Sequence, residues 1–315
     1  MPAFDAYSLV DFSARSTPSS VKPSADACWL GTLTPGQRFR AEYFRTRQEA
    51  MNAWSRWVSQ QDTQQRRVLA GFDFAFGTPR NFAAAARLSP GNPGWRALWG
   101  FLAKHIQDDG TNRNNRFAIA AAMNARVGRE PSGPWWGGPP SRLAGLETLR
   151  TKRGFTWPYP VTAKQTVARL RETDRRARGA QEVWKLAGIG SVGSQSLLGI
   201  AGLASRRIGP TRAPWASRAA VWPMETGFKL PSRHDRGKRV VLVEAFPSLL
   251  PQHTQAKLNK HHGIRDAAQV DAWCHWARRL DRRNQLDPLF ERPADLTDAE
   301  HQACLDEEGW IFGVT

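Results

Sequence analysis

Three short apolar runs in this chain each end on a carboxylate. The stretch RRVLAGFDFAFGTP (66–79) carries Val68-Leu69-Ala70-Gly71-Phe72 straight into Asp73, and Gly77 and Pro79 close the segment. YSLVDFS places Asp11 after Leu9-Val10, and RVVLVEAFP places Glu244 after Val240-Val241-Leu242-Val243. Continuous apolar runs bounded by turn residues are the pattern of strands buried on both faces, as in a sheet covered by helices. An ionised carboxylate at the end of such a strand is costly unless it is paired or meets a cation. The chain therefore needs an α/β fold in which strand ends carry acids, and something there that makes the charge tolerable.

The remaining pattern supplies the order of elements. Residues 6–12 read as a first strand and 13–26 as a Ser- and Pro-rich loop. Residues 27–33 and 38–44 read as strands of a hairpin turned by TPGQ. From 47 to 61, Ala50, Met51, Trp54, Trp57 and Val58 share one helical face, and 67–74 returns to strand. The opening is thus β-β-β-α-β. The middle, 78–180, reads as helix and loop. Helices are expected at 95–106 and 115–127, a Pro/Gly/Trp loop at PSGPWWGGPP, and an Arg-rich helix at 164–178. Strands are expected at 182–188, 218–223 and 239–245, and an apolar helix in the second half of GIGSVGSQSLLGIAGLAS. Further helices are expected at 265–283 and near 297–306. Strands at both ends need each other in one sheet. Residues 1–315 are therefore expected to form a single elaborated α/β domain, with 78–180 as a mainly helical insertion.

Charge narrows the partner. The 45 Lys and Arg against 28 Asp and Glu leave a net charge of +17, which favours a polyanion, nucleic acid first. The arginines are dispersed in clusters (66–67, 171–178, 206–212, 233–239, 278–283), which suits a broad basic face better than a tail. Trp at helical spacing, as in Trp95 and Trp99, reads as core packing. Cys28, Cys274 and Cys304 form no C-x-x-C, so neither a zinc site nor a disulfide framework is expected, and a reducing compartment fits. The stretch MPAFDAYSLVDFS lacks the pattern of a signal peptide, and no apolar run approaches a membrane span. A cytoplasmic location without a membrane partner is the expectation.

If the three strands lie side by side, Asp11, Asp73 and Glu244 meet at one edge of the sheet. Like charges at that distance repel, and a divalent metal relieves the repulsion. Oxygen-only donors point to Mg²⁺ or Mn²⁺ rather than zinc. A fourth acid is available from the following helix, Asp266 in its first turn or Asp271 further along. The ordinary alternative for each acid taken singly is a turn or helix cap.

The order of elements and acids resembles the ribonuclease H-like superfamily and, more narrowly, the DUF429-type bacterial proteins described as predicted nucleases. The stretches that carry the resemblance are VDFSARS, FDFAFGTP, NNRFAIAAAMN, GPWWGGP, VWKLAGIGSVGSQSLLGI, VEAFPSLL, RDAAQV and EEGWIFGV, spread over nearly the whole chain. The resemblance implies a mixed ribonuclease H-type sheet. It makes Asp11 the first-strand metal ligand, Asp73 the fourth-strand one and Asp266 the helix acid, with Glu244 assisting. It also implies two-metal hydrolysis of nucleic-acid phosphodiester bonds. Arg171, Arg175 and Lys185 are the basic candidates for holding phosphate. Many nucleases of this fold have no glutamate at the position of Glu244.

GIGSVG (188–193) is formally G-x-G-x-x-G between a strand and a helix, the setting of a dinucleotide site. No Asp or Glu occurs between Glu182 and Glu225 to bind a ribose, although Arg207 or Arg212 would suit a phosphate. Substrate phosphate at Gly190, Ser191, Gly193 and Ser194 is preferred to a cofactor, with a tight glycine turn as the bland alternative. His261 and His262 read as an exposed pair, and His275 as surface or packing. Two rivals share these features: a nucleotide-binding phosphotransferase or ATPase on the same core, and a non-catalytic nucleic-acid-binding protein.

Overall fold

The computed structural model describes residues 2–88, 92, 94–129, 132–138, 156–162, 165–188, 190–209, 212–231 and 237–315. Ile189 of the glycine loop, Lys164 at the start of the expected Arg-rich helix, and Arg233 and Arg236 of one basic cluster lie outside them.

The apolar runs form the middle of a mixed six-stranded sheet. Its strands are β1 (Ala6–Asp11), β2 (Cys28–Leu33), β3 (Arg40–Phe44), β4 (Val68–Phe72), β7 (Ala219–Val221) and β8 (Val240–Glu244), in the order β3-β2-β1-β4-β8-β7. β1, β2 and β3 are antiparallel neighbours, whereas β4 runs parallel to β1 and β8 parallel to β4 and β7. The chain is thus α/β.

Alternation along the strands divides the core. Ala6, Val10, Val68, Ala70, Phe72, Val240 and Leu242 face one apolar cluster, and Tyr7, Leu9, Leu69, Val241 and Val243 face another. Helices α1 (Arg47–Thr63), α3 (Gly94–His105), α4 (Arg116–Val127) and α6 (Val192–Ile208) contribute to the first cluster. Helix α8 (Arg265–Arg282) and the C-terminal segment cover the second. A Thr46–Glu49 capping box starts α1 where the hairpin ends.

The position of α8 is set by two glycines. A Cβ on Gly31 of β2 would lie 2.8 Å from the Cβ of Val270, and one on Gly71 of β4 would lie 2.8 Å from Cζ2 of Trp273. Only bare backbone lets α8 lie this close to the sheet, and that approach carries Asp266 to the ends of the strands.

Two expectations for the chain between β4 and β8 are corrected. Residues 182–188 form no strand of the sheet: Val183, Trp184 and Leu186 are buried, but only Lys185 makes an isolated bridge, to Trp136. Within 164–178 the helical part is only α5 (Glu172–Arg176), preceded by β6 (Thr166–Val167), which pairs with β5 (Tyr159–Pro160). The helices at 95–106 and 115–127 appear as α3 and α4, joined by the short α2 (Phe82–Ala85) before them. Near the C-terminus, α7 (Pro251–Gln255) precedes α8, and α9 (Asp298–Ala303) runs into a π-helical turn, Cys304–Glu308. Among the described residues, no helix is long and apolar enough to cross a membrane.

Candidate functional site

Register brings the three acid-tipped strands to one edge. Val10 pairs with Phe72 and Phe72 with Glu244, so Asp11 and Asp73 lie one position beyond a shared rung and Glu244 ends the third strand. The Asp73 N–H donates to the Val10 carbonyl at 3.0 Å, which prolongs β4 against β1 by one residue. Asp266 enters from the first turn of α8 and accepts a 2.7 Å hydrogen bond from the Asp26 N–H, pinning the chain just before β2.

Asp73 and Asp266 act on Asp11, and Asp266 acts on Asp73. Burial raises the Asp11 carboxyl well above the usual carboxylate range, and the charges of Asp73 and Asp266 raise it further. Asp73 is pushed up to about 7 by burial, then by Asp266 and Glu244. Asp266 is raised by burial and by Asp26, against the backbone hydrogen bonds that hold it. Among the described residues no Lys, Arg or His forms an ion pair with Asp11, Asp73 or Asp266. Backbone hydrogen bonds and the charge of Arg265 offset only part of the burial of Asp266, and a backbone hydrogen bond from Phe12 only part of that of Asp11. Even so, among the described residues no three Asp, Glu, His or Cys side chains converge at metal-ligating distance. The donor chemistry, all hard oxygen and electrostatically strained, fits a divalent cation. Among the described residues the side chains do not clasp one.

Glu244 has a different role from its neighbours. Arg171 donates to both of its oxygens, Nη1 to Oε2 at 2.7 Å and Nη2 to Oε1 at 2.6 Å, and the Phe76 N–H adds a third bond at 2.9 Å. The same guanidinium binds Asp174 at 2.8 Å and 3.0 Å and the Glu308 carbonyl at 3.0 Å. Both expectations for this pair are therefore corrected. Glu244 is neutralised by a buried arginine rather than offered to a cation, and Arg171, with its donors spent on carboxylates, is not a phosphate clamp. Arg175 is half-exposed but bound to Glu172 at 2.7 Å, and Lys185 lies over the ring of Trp136 at 5.8 Å.

The glycine loop is mostly consumed by packing. The Gly193 N–H donates to the Lys185 carbonyl at 3.0 Å, and a Cβ there would sit 2.3 Å from the Val183 carbonyl oxygen. Ser194 is fully buried, donating to the Leu186 carbonyl and accepting from Arg116 Nε at 2.8 Å. The Gly193 N–H and the Ser194 hydroxyl are both engaged internally, which corrects the expectation that these two residues hold phosphate. Gly190, with φ +72°, does line a cleft of 410 Å³ beside Asp73, together with Phe74, Gln181, Gln195, Phe246 and Ser248. Ser191 is the half-buried residue that opens α6.

Asp271, the alternative helix acid, belongs to a different cluster. It is fully buried and faces Lys257 at 3.1 Å, Lys260 at 2.6 Å, His261 at 2.8 Å and His275 at 2.7 Å, which together hold its carboxyl far below the usual range against the opposing effect of burial. His261 and His275 thus have an acid partner that sequence spacing along 261–262 did not disclose; the i,i+4 relation of Asp271 and His275 was the available signal. The site also depends on Glu307 and Glu308, which sequence reading passed over. Glu307 accepts from the Asn81 and Ala83 N–H groups, both at 2.7 Å, and Glu308 from those of Arg80 and Glu172 at 2.9 Å and 2.7 Å. Their adjacency ahead of Gly309 and an apolar tail was the visible clue. Cys28, Cys274 and Cys304 are buried free thiols, with burial pushing Cys28 up to about 12.

No family model, curated protein or solved structure matches this chain.

Proposed function

We propose that this protein is a divalent-metal-dependent nuclease with a ribonuclease H-like core, akin to the DUF429-type proteins its sequence resembles. The observation that carries the reading is the trio Asp11, Asp73 and Asp266, three carboxylates from two adjacent parallel strands and one helix with no ion pair among the described residues, in which Asp73 and Asp266 raise Asp11 and Asp266 raises Asp73. The strand order β3-β2-β1-β4-β8, with the first three antiparallel, supports the ribonuclease H-like assignment. The +17 charge supports a nucleic-acid substrate.

In this reading Asp11, Asp73 and Asp266 would hold Mg²⁺ or Mn²⁺, which would supply an activated water and stabilisation of the leaving oxygen. Arg171 offsets part of the negative charge that Glu244 and Asp174 add beside them. Glu307 and Glu308 fix the loop that follows Asp73, so that carboxylate is held in place rather than swinging with a free turn.

The test is incubation of wild type and Asp73→Asn with Mn²⁺ and a panel of single-stranded, duplex, branched and hybrid oligonucleotides. Cleavage by wild type and its loss in Asp73→Asn supports the proposal. Equal cleavage by both, or cleavage by neither, removes it.

A second reading is favoured by the cleft, where Gly190 at the start of α6 and Asp73 line one space. A nucleotide-dependent phosphotransferase on the same core would use that space for a triphosphate. Thermal stabilisation by ATP with Mg²⁺, lost in Asp73→Asn, without oligonucleotide cleavage would select it.

A further inference from the structure

The opposite end of α6 lines a second cavity with the reverse charge. Val192, at the helix start, borders the acidic cleft, and Arg207 and Ile208, at its end, border a 550 Å³ cavity against α3 and α4. Fifteen residues of α-helix separate the two by about 22 Å. Arg96, Lys104, Arg126 and Arg207 line this cavity, and among the described residues no Asp or Glu does.

These cations are incompletely neutralised. Arg96 and Arg207 share one carboxylate, Glu225, with Arg96 at 2.9 Å from it. Among the described residues, neither Lys104 nor Arg126 has an ion pair. Arg126 instead lies over the Phe101 ring at 4.8 Å, which orders the guanidinium without cancelling its charge. Arg207 is 7% exposed, and among the described residues its Nε has no hydrogen-bond partner. A buried guanidinium N–H left unpaired is costly, and an anionic oxygen in the cavity would satisfy it. Burial also holds Arg207 below the ordinary arginine range, with the neighbouring charges of Arg96 and Arg212 acting in the same direction against Glu225. Burial, Lys104 and Arg126 likewise lower His105.

We propose that this cavity binds a small di- or polyphosphate, either inorganic or as the tail of a nucleotide, at a site separate from the acidic cleft. Four cations around 550 Å³ suit a ligand with several charged oxygens better than a single carboxylate. The apolar share of the wall, from Leu88, Ala97 and Ile208, leaves room for an uncharged moiety beyond the phosphates.

The experiment is isothermal titration of pyrophosphate, ADP and adenosine into the full chain with EDTA present. The chelator removes any cation through which the acidic cleft might recruit phosphate. Wild type, Lys104→Gln/Arg126→Gln and Arg207→Gln are compared. The double variant replaces two exposed side chains and keeps the test valid if Arg207→Gln fails to fold. Pyrophosphate and ADP binding to wild type, weakened about tenfold or more in the double variant, is the expected result. ADP bound much more tightly than pyrophosphate identifies a nucleotide, and equal affinities identify the phosphates as the whole determinant; both support the site. No binding of either ligand, binding of adenosine alone, or equal binding by wild type and the double variant overturns it.

Discussion

The guanidinium of Arg171 closes on both carboxylate oxygens of Glu244 at 2.7 Å and 2.6 Å, with both side chains at most 4% exposed. Arg171 also holds Asp174, so it balances two buried acids. Its pKa stays well above the ordinary range because these two carboxylates outweigh the opposing effect of burial. Removing it leaves both acids buried and unpaired, a change that costs about 3–5 kcal/mol. Arg171→Met is expected to lose that much in urea denaturation, whereas Glu244→Gln, which leaves Arg171 paired with Asp174, is expected to lose less. Because Glu244 is neutralised by Arg171, Glu244→Gln keeps Mn²⁺ binding, and Asp73→Asn abolishes it. Calorimetric titration of Mn²⁺ into the two variants checks the difference.

The raised Asp73 carboxyl fixes a pH dependence. Its folded value of about 7 exceeds the ordinary 3.8, so the folded protein holds a proton that the unfolded chain releases. The stability this carboxyl contributes is fully present below about pH 4 and is lost as pH rises through about 7. A bound cation reverses that trend, because it requires the ionised form. Metal-free wild type is expected to lose more thermal stability between about pH 5 and about pH 8 than Asp73→Asn does. Added Mn²⁺ is expected to raise the wild-type midpoint at the higher pH and leave it unchanged at the lower. Thermal melts of both proteins at the two pH values, with and without Mn²⁺, decide it.

Asp11 and Asp73 were legible in the sequence because their signal is local: an apolar run, an acid, then turn residues. The six strands of the sheet and helices α1, α3, α4 and α8 were legible for the same reason, since hydrophobic period survives without knowledge of partners. The segment 182–188 was not. Val183, Trp184 and Leu186 are as buried as any strand residues, but their backbone packs on the first turn of α6, where Gly193 and Ser194 bond to it. Burial alone does not distinguish a strand from irregular chain trapped under a helix. Arg171 and Glu244 are 73 residues apart, and no local pattern announces such a pair. An Arg-rich stretch therefore read as a solvated phosphate clamp, although its first arginine faces inward.

Gly31 and Gly71 let α8 approach the sheet closely enough to deliver Asp266. A methyl group at either place would meet Val270 or Trp273 at 2.8 Å, so the helix must shift. Gly71→Ala is expected to cost roughly 1–3 kcal/mol as overpacking. It is also expected to weaken Mn²⁺ binding as Asp266→Asn does, although no ligand has been changed. A loss of stability in urea with unaltered Mn²⁺ affinity would mean that the position of α8 does not control the acid site.

Asp271 holds two lysines and two histidines around one fully buried carboxylate, linking the chain after α7 to the middle of α8. Asp271→Asn leaves Lys257 and Lys260 facing a neutral amide. Lys260 is 53% exposed and Lys257 28%, so water screens part of the loss, and a cost of roughly 1–3 kcal/mol is expected rather than the larger value for a fully buried pair. The Asp271 carboxyl is depressed in the folded state, mainly by its hydrogen bonds to His275, Lys260, His261 and Lys257 acting against burial. Its contribution is therefore present above the unfolded carboxylate range and is lost as the solution becomes acidic. The gap between wild type and Asp271→Asn in urea denaturation is expected to be full near neutrality and to shrink below about pH 4. Because Asp271 does not face the acid trio, Mn²⁺ affinity is expected to be unchanged, and a loss comparable to that of Asp266→Asn would move the proposed helix ligand from Asp266 to Asp271.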